Sequence, residues 1–125
     1  MKNNQSYPLP LLEDFLLHLQ VNNYSKETIY NYERDLEVFE SFLNHDIKTP
    51  ISQLTKRDLE KYKAYLSSRD RKTAGFKKTK KHLSPGSMNR NLSALRRYLE
   101  YLLEMDYKTP VVPQNIKLVK TPKHV

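Results

Sequence analysis

The chain has 125 residues, no cysteine and a formal net charge of +8 at pH 7, from 22 lysines and arginines against 14 aspartates and glutamates. This length favours a single domain. The absence of cysteine excludes a disulfide scaffold, a Cys-ligated zinc site and thiol catalysis. The excess positive charge favours a polyanionic partner, either nucleic acid or an acidic membrane surface. No apolar run approaches the roughly 18–20 residues that span a bilayer, and the N-terminus lacks a signal-peptide pattern, so we expect a soluble, cytoplasmic domain.

The first half of the chain predicts two helices. Only two glycines occur, and long segments carry a 3.6-residue apolar period, so we expect an all-α fold. The first helix follows Pro8 and Pro10 and ends near the asparagines of "QVNNY". Ser25 is a favourable N-cap for the second helix, which ends before Pro50. The predicted buried stripes are Leu12, Phe15, Leu16 and Leu19, then Ile29, Tyr32, Leu36, Phe39 and Leu43.

Two further helices flank a basic loop. Thr55 and Asp58 form a variant of the capping box that begins the third helix. Residues 69–82, "RDRKTAGFKKTKKH", have seven basic residues against one acidic residue and no apolar period, which predicts a surface loop. Ser84 as N-cap and Pro85 at the first helical position begin the fourth helix. The predicted core positions are Leu59, Tyr62 and Leu66, then Met88, Leu92, Leu95, Leu99 and Leu102. Residues 109–125 hold three prolines and predict a linker.

The sequence offers little catalytic chemistry. The four histidines do not stand in any pattern that places two metal ligands on one helix face, and no glycine-rich phosphate loop occurs. Tyr32, Tyr62 and Tyr98 lie on or beside apolar stripes, where core packing is the favoured interpretation. We therefore expect no catalytic residue, no metal site and no cofactor in this chain.

The polar side of the fourth helix is the main candidate for contact with nucleic acid. Arginine can bond guanine and asparagine can bond adenine in the major groove, and a helix placed end-on uses its first turns there. Lysines in the preceding loop would add sequence-independent affinity through counterion release. The alternative is a solvated face on which arginines pair with Glu100 or Glu104. The candidate residues are Ser87, Asn89, Arg90, Ser93, Arg96 and Arg97 in the helix, with Lys77, Lys78, Lys80 and Lys81 in the loop.

The start of the second helix is a second candidate surface. Lys26 and Thr28 stand there as polar residues able to contact a phosphate or a base. The residues alone favour ordinary capping by Ser25 with exposed charges around it.

Three patterns together resemble the N-terminal core-binding domain of tyrosine recombinases, the phage-integrase and Xer-type enzymes. They are Ser25-x-x-Thr28-x-x-x-Tyr32-x-x-Asp35-Leu36, then Leu54-Thr55-x-x-Asp58-Leu59, and finally Leu92-Ser93-Ala94-Leu95-Arg96-x-Tyr98-x-x-Tyr101-Leu102. The similarity covers roughly residues 9–124, nearly the whole chain, and the order and spacing make it specific. It implies a four-helix SAM-like orthogonal bundle.

The resemblance also implies a function. In that family the domain is one half of a C-shaped clamp on double-stranded DNA, and its second and fourth helices approach the major groove. By position, this points to Lys26, Thr28, Ser87, Asn89 and Arg90, with Arg96 and Arg97 as phosphate contacts. The first helix would contact other protomers in a tetrameric synapse, while the isolated domain would be monomeric and would not bind membranes.

The family's chemistry lies in a second domain, which the resemblance implies is absent from this chain. There a tyrosine attacks the scissile phosphate to give a 3′-phosphotyrosyl link, without metal or nucleotide. That domain carries a His-x-x-Arg motif, and no histidine here is followed three residues later by arginine. We therefore expect a core-binding domain at residues 1–108 and a linker toward the catalytic domain at residues 109–125.

Two other interpretations remain open. A stand-alone DNA-binding regulator would need a helix-turn-helix, but the third and fourth helices are joined by a long basic loop instead of a short turn. A helical protein-interaction module would use the basic surface to meet an acidic protein, and it would bind DNA and an unrelated polyanion such as heparin equally well.

Overall fold

The computed structural model describes residues 6–68 and 84–121. These residues form four α-helices and no strand: α1 (Leu12–Val21), α2 (Lys26–Ser41), α3 (Lys56–Ser67) and α4 (Pro85–Glu104). A π-helical turn at Phe42–Asp46 extends α2, and two short 3-10 turns lie at Ile51–Gln53 and Pro113–Asn115. The predicted all-α class is confirmed, whereas the predicted loop with Lys77, Lys78, Lys80 and Lys81 lies outside the described residues.

Each helix after the first begins at the cap that the sequence predicts. The side chain of Ser25 accepts a hydrogen bond from the Thr28 amide at the start of α2, and Ser84 does the same for Ser87 in α4. Thr55 and Asp58 exchange both bonds of a capping box at the start of α3. Such caps satisfy amides that have no partner inside the helix, and each stabilises its helix by about 1 kcal/mol.

The core is one cluster built from the predicted stripes. All five predicted positions of α4 and all three of α3 are buried. The first stripe buries Phe15 and Leu19 and leaves Leu12 and Leu16 partly covered, and the second leaves only Ile29 and Tyr32 partly covered. Helix α4 lies at the centre, in contact with α2, α3 and the 3-10 turn that follows it. The contact between α2 and α4 places polar side chains of the two helices next to each other.

The segment after α4 is ordered against the bundle. Val111, Pro113 and Ile116 are buried, and the Asn115 side chain accepts a hydrogen bond from the Val112 amide. The boundary between a domain at 1–108 and a linker at 109–125 stays a prediction. The described part of that segment nevertheless packs as part of the domain.

Tyr62 carries a buried hydroxyl that has no hydrogen-bond partner among the described residues. Its ring contacts Phe39 and Phe42, with ring centroids 5.0 Å apart in both cases, and burial raises the pKa of the phenol well above its ordinary value. Because an unpartnered buried hydroxyl is costly, we expect Tyr62→Phe to raise the free energy of unfolding by about 1 kcal/mol. Urea unfolding followed by circular dichroism measures this, and a loss of stability would mean that the hydroxyl has a partner outside the described residues.

Within the described residues, no helix is both long enough and apolar enough to cross a bilayer.

Candidate nucleic-acid interface

A cleft of about 220 Å³ lies between α2 and α4. It forms where the N-terminal halves of the two helices meet, and most of its lining is polar or aromatic. Thr28, Arg90 and Ser93, all predicted contacts, come together here. The full lining is Thr28, Asn31, Tyr32 and Asp35 from α2, with Arg90, Ser93 and Ala94 from α4.

One ion pair joins the two helices at this cleft. Arg90 donates from Nε to Asp35 Oδ2 at 3.2 Å and from Nη2 to Asp35 Oδ1 at 3.1 Å. The Asp35 side chain is only 7% exposed, whereas that of Arg90 is 63% exposed. Such bidentate pairing fixes the plane of a guanidinium. Asp35 therefore holds Arg90 in one orientation while most of the arginine still faces solvent.

The pKa of Asp35 reflects two opposed effects. Burial raises it above its ordinary value, and the hydrogen bonds and charge of Arg90 lower it. The charge of Arg34 also lowers it, by a smaller amount. The net direction is upward, so desolvation outweighs the ion pair.

The remaining predicted contacts in the first turns are polar and accessible to different degrees. Lys26 is exposed at the start of α2, and Thr28 is half-buried, accepting a hydrogen bond from the Ser25 hydroxyl at 2.9 Å. Ser87 is half-buried and accepts one from Ser84 at 3.2 Å. Ser93 is exposed at the cleft. Of these groups, Thr28 and Ser93 line the cleft together with Arg90.

The structure divides the predicted polar side of α4 into two surfaces. Arg90, Ser93 and Arg97 follow one another at helical spacing toward α2, and Arg97 pairs with Glu100 at 3.3 Å, the local pairing that the sequence offered as an alternative. Asn89 and Arg96 instead contact the segment after α4: Asn89 bonds the backbone of Val119, and Arg96 donates to the carbonyl of Ile116. The predicted polar residues of α4 therefore do not form one continuous surface that could contact DNA.

Sequence reasoning did not assign a role to Asp35. The available signal was its position three residues after Tyr32 and next to Leu36, on the apolar side of α2, where a carboxylate needs a cationic partner. Nothing local identifies that partner, because Arg90 is 55 residues away in the sequence.

The sequence and the fold of this chain are both similar to those of known recombinases and integrases. A family model described as the phage integrase N-terminal SAM-like domain matches residues 12–105. The tyrosine recombinase XerS of Streptococcus equi subsp. equi is 31% identical over 115 residues, which cover 80% of this chain and 32% of that protein. The tyrosine recombinase XerS of Lactococcus lactis subsp. lactis is 37% identical over 92 residues, which cover 65% of this chain and 25% of that protein.

A solved structure gives the same fold. It is the N-terminal domain of a phage integrase/site-specific recombinase from Haloarcula marismortui, with a TM-score of 0.70 and 20% identity, over 91% of this chain and 97% of that one. The chain spans between a quarter and a third of the length of the two XerS proteins. Since the family model covers most of the chain, the chain belongs to the phage integrase N-terminal SAM-like domain family.

Proposed function

We propose that this chain is the DNA-binding and synapsis half of a site-specific tyrosine recombinase of the integrase or Xer type. It holds duplex DNA with α2 and α4 against the major groove, while the chemistry through a 3′-phosphotyrosyl intermediate belongs to a catalytic domain elsewhere in the parent protein. Family membership supports the recombinase role, and the net charge of +8 supports a polyanionic partner.

The observation that carries the proposal is the position of Arg90. It is an exposed cation at a cleft between two helix starts, and a buried carboxylate holds its orientation. An arginine whose guanidinium is already fixed loses less side-chain entropy when it bonds a guanine edge or a phosphate. The free amides at the starts of α2 and α4 also favour phosphate oxygens nearby.

The other proposed contacts come from α2, from α4 and from the loop that precedes α4 in the sequence. Lys26, Thr28, Ser87 and Ser93 lie on the same two helices, and Lys77, Lys78, Lys80 and Lys81 of the loop add sequence-independent affinity. Arg97 would contact a phosphate while sharing its charge with Glu100. Asn89 and Arg96 would reach DNA only after releasing the segment that follows α4.

Synapsis is proposed to use α1. Leu17 and Val21 are 56% and 71% exposed on this helix, and their spacing of four residues places them next to each other on one face. We propose that they contact other recombinase protomers in a tetramer, and that the isolated domain is a monomer.

Fluorescence anisotropy on duplex DNA across a salt series tests the proposal. The probes are AT-rich inverted repeats of about 30 base pairs, with scrambled duplexes and heparin as competitors. The variant is Arg90→Gln, and the matched control is Arg34→Gln, which removes the same charge from an exposed position of α2 outside the cleft. We expect Arg90→Gln to weaken binding by about tenfold or more and to reduce sequence preference, and Arg34→Gln to have a much smaller effect.

Other outcomes would contradict the proposal in distinguishable ways. Equal losses in the two variants would mean that charge alone holds the DNA and that the cleft has no special role. Equal competition by heparin and by every duplex would favour a protein-interaction module with a basic surface. Circular dichroism of each variant at the assay temperature establishes that the compared proteins are folded.

A further inference from the structure

The segment after α4 turns back and runs antiparallel along that helix. Ile116 lies against Arg96, and Val119, further along the chain, lies against Asn89, which is nearer the start of α4. Buried contacts of Val111 and Ile116 support the same path. The last described residues therefore lie beside the N-terminal half of α4.

Asn89 bonds both backbone polar groups of Val119. Its Nδ2 donates to the Val119 carbonyl at 2.9 Å, and its Oδ1 accepts from the Val119 amide at 2.7 Å. The side-chain amide of Asn89 thus pairs with the Val119 backbone through two hydrogen bonds, as two residues do in an antiparallel pair of strands. This is also the bonding pattern by which asparagine would bond adenine, so Asn89 cannot make both pairings at once.

Arg96 makes a second attachment on the same side of α4. It lies about two helical turns after Asn89, so both side chains project in similar directions. Its Nη2 donates to the carbonyl of Ile116, whose side chain is itself buried. Two polar attachments and one apolar contact thus fix residues 116–119 on the helix.

We propose that Asn89 and Arg96 are positioning residues that fasten the C-terminal segment to α4, so that the chain leaves the domain beside the helix end that carries Arg90. In this assignment Asn89 directs the exit of the chain and does not contact bases. The functional meaning rests on the proposed role in DNA binding: a following domain would start at the end of α4 that carries Arg90, which shortens its path to the duplex.

Limited proteolysis with trypsin tests the attachment directly, because Lys117 and Lys120 flank the captured residue. Cleavage of a native segment follows the population of its opened form. Since two hydrogen bonds are lost, Asn89→Ala is expected to speed cleavage after these lysines by about tenfold, as mass spectrometry of the fragments would show. Glu104→Ala, at an exposed position near the other end of the same helix, is the control and should cleave at the wild-type rate. Equal rates for wild type and Asn89→Ala would overturn the proposal.

A second variant separates attachment from DNA contact. Val119→Pro removes the backbone N–H that donates to Asn89 Oδ1, and it leaves Asn89 itself unchanged. We expect it to reproduce the faster cleavage of Asn89→Ala and to change DNA affinity in the same direction and by a similar factor. If Asn89→Ala weakens DNA binding fivefold or more and Val119→Pro leaves it unchanged, Asn89 contacts DNA and the assignment is wrong.

The two proposals fail separately. If the wild-type chain does not bind duplex DNA, the proposed function fails, but the cleavage rates still decide whether Asn89 holds the segment. If DNA binds and cleavage is unchanged in both variants, only the positioning role fails.

Discussion

Replacing Arg90 by alanine is expected to lower the free energy of unfolding by about 2 kcal/mol at neutral pH. The reason is the residue left behind: the Asp35 side chain is only 7% exposed and would lose both of its charge-assisted hydrogen bonds. The value lies toward the low end for a broken ion pair because Arg90 itself is largely solvated. Urea unfolding of wild type and variant at one temperature measures the difference.

The loss should grow with pH. Burial already raises the pKa of the Asp35 carboxyl in the folded state, and Arg90 opposes that rise. A group with a raised folded-state pKa contributes stability that is present below the unfolded-state value and is lost as the pH rises through the folded-state value. Without Arg90 the pKa of Asp35 rises further, so the variant loses more stability than the wild type as the pH rises from below the ordinary pKa of an aspartate to neutrality.

A double-mutant cycle with Asp35→Asn isolates this effect. The asparagine has no charge to bury, so Arg90→Ala in the Asp35→Asn background should cost less and should show no added pH dependence. The charge of Arg34 stays the same in all four proteins and cancels from the cycle. A loss that is equal in acid and at neutral pH would contradict the assignment of Asp35 as a buried ionisable partner of Arg90.

The same pair shows where sequence reasoning stops. The helices could be predicted because their causes are local: Ser25, Thr55 and Ser84 cap the residues that follow them, and Leu92, Leu95 and Leu99 repeat at helical spacing. The fold followed from the order and spacing of three patterns that resemble a known family, and the match to that family's model confirms it. Position along a helix decides which residues are buried, and that position is visible in the sequence.

The site depended on contacts between distant residues. Asp35 with Arg90 and Asn89 with Val119 are 55 and 30 residues apart. A helical wheel places Asn89 among the polar residues of α4 but cannot show that a later segment covers it. The local pair of Arg97 with Glu100, by contrast, was among the alternatives that the sequence itself offered. The predicted residue types were therefore informative about chemistry, whereas their partners required the fold.

Phe15→Ala is expected to have the largest effect of any single change proposed for this chain, a loss of about 3–5 kcal/mol in the free energy of unfolding. Phe15 is fully buried at the centre of α1, and its ring lies 6.0, 5.7 and 5.5 Å, centroid to centroid, from those of Tyr32, Tyr98 and Tyr101. Truncation leaves a cavity, and the three aromatic rings around it could fill that cavity only by giving up their present packing. It would also loosen the start of α1, where the Tyr98 hydroxyl donates to the carbonyl of Pro10.

Leu17→Ala supplies the matched control, because Leu17 is on the same helix but is 56% exposed. Its effect on stability should stay within about 0.5 kcal/mol, as for other surface changes. Thermal unfolding followed by circular dichroism compares the two, with roughly 4–8 °C of melting temperature expected per kcal/mol for a domain of this size. Equal, small shifts would mean that α1 does not depend on Phe15 for its attachment to the bundle. A large shift for Phe15→Ala alone, with wild-type DNA affinity recovered at a temperature where that variant is folded, would establish that Phe15 supports the α2–α4 surface without forming part of it.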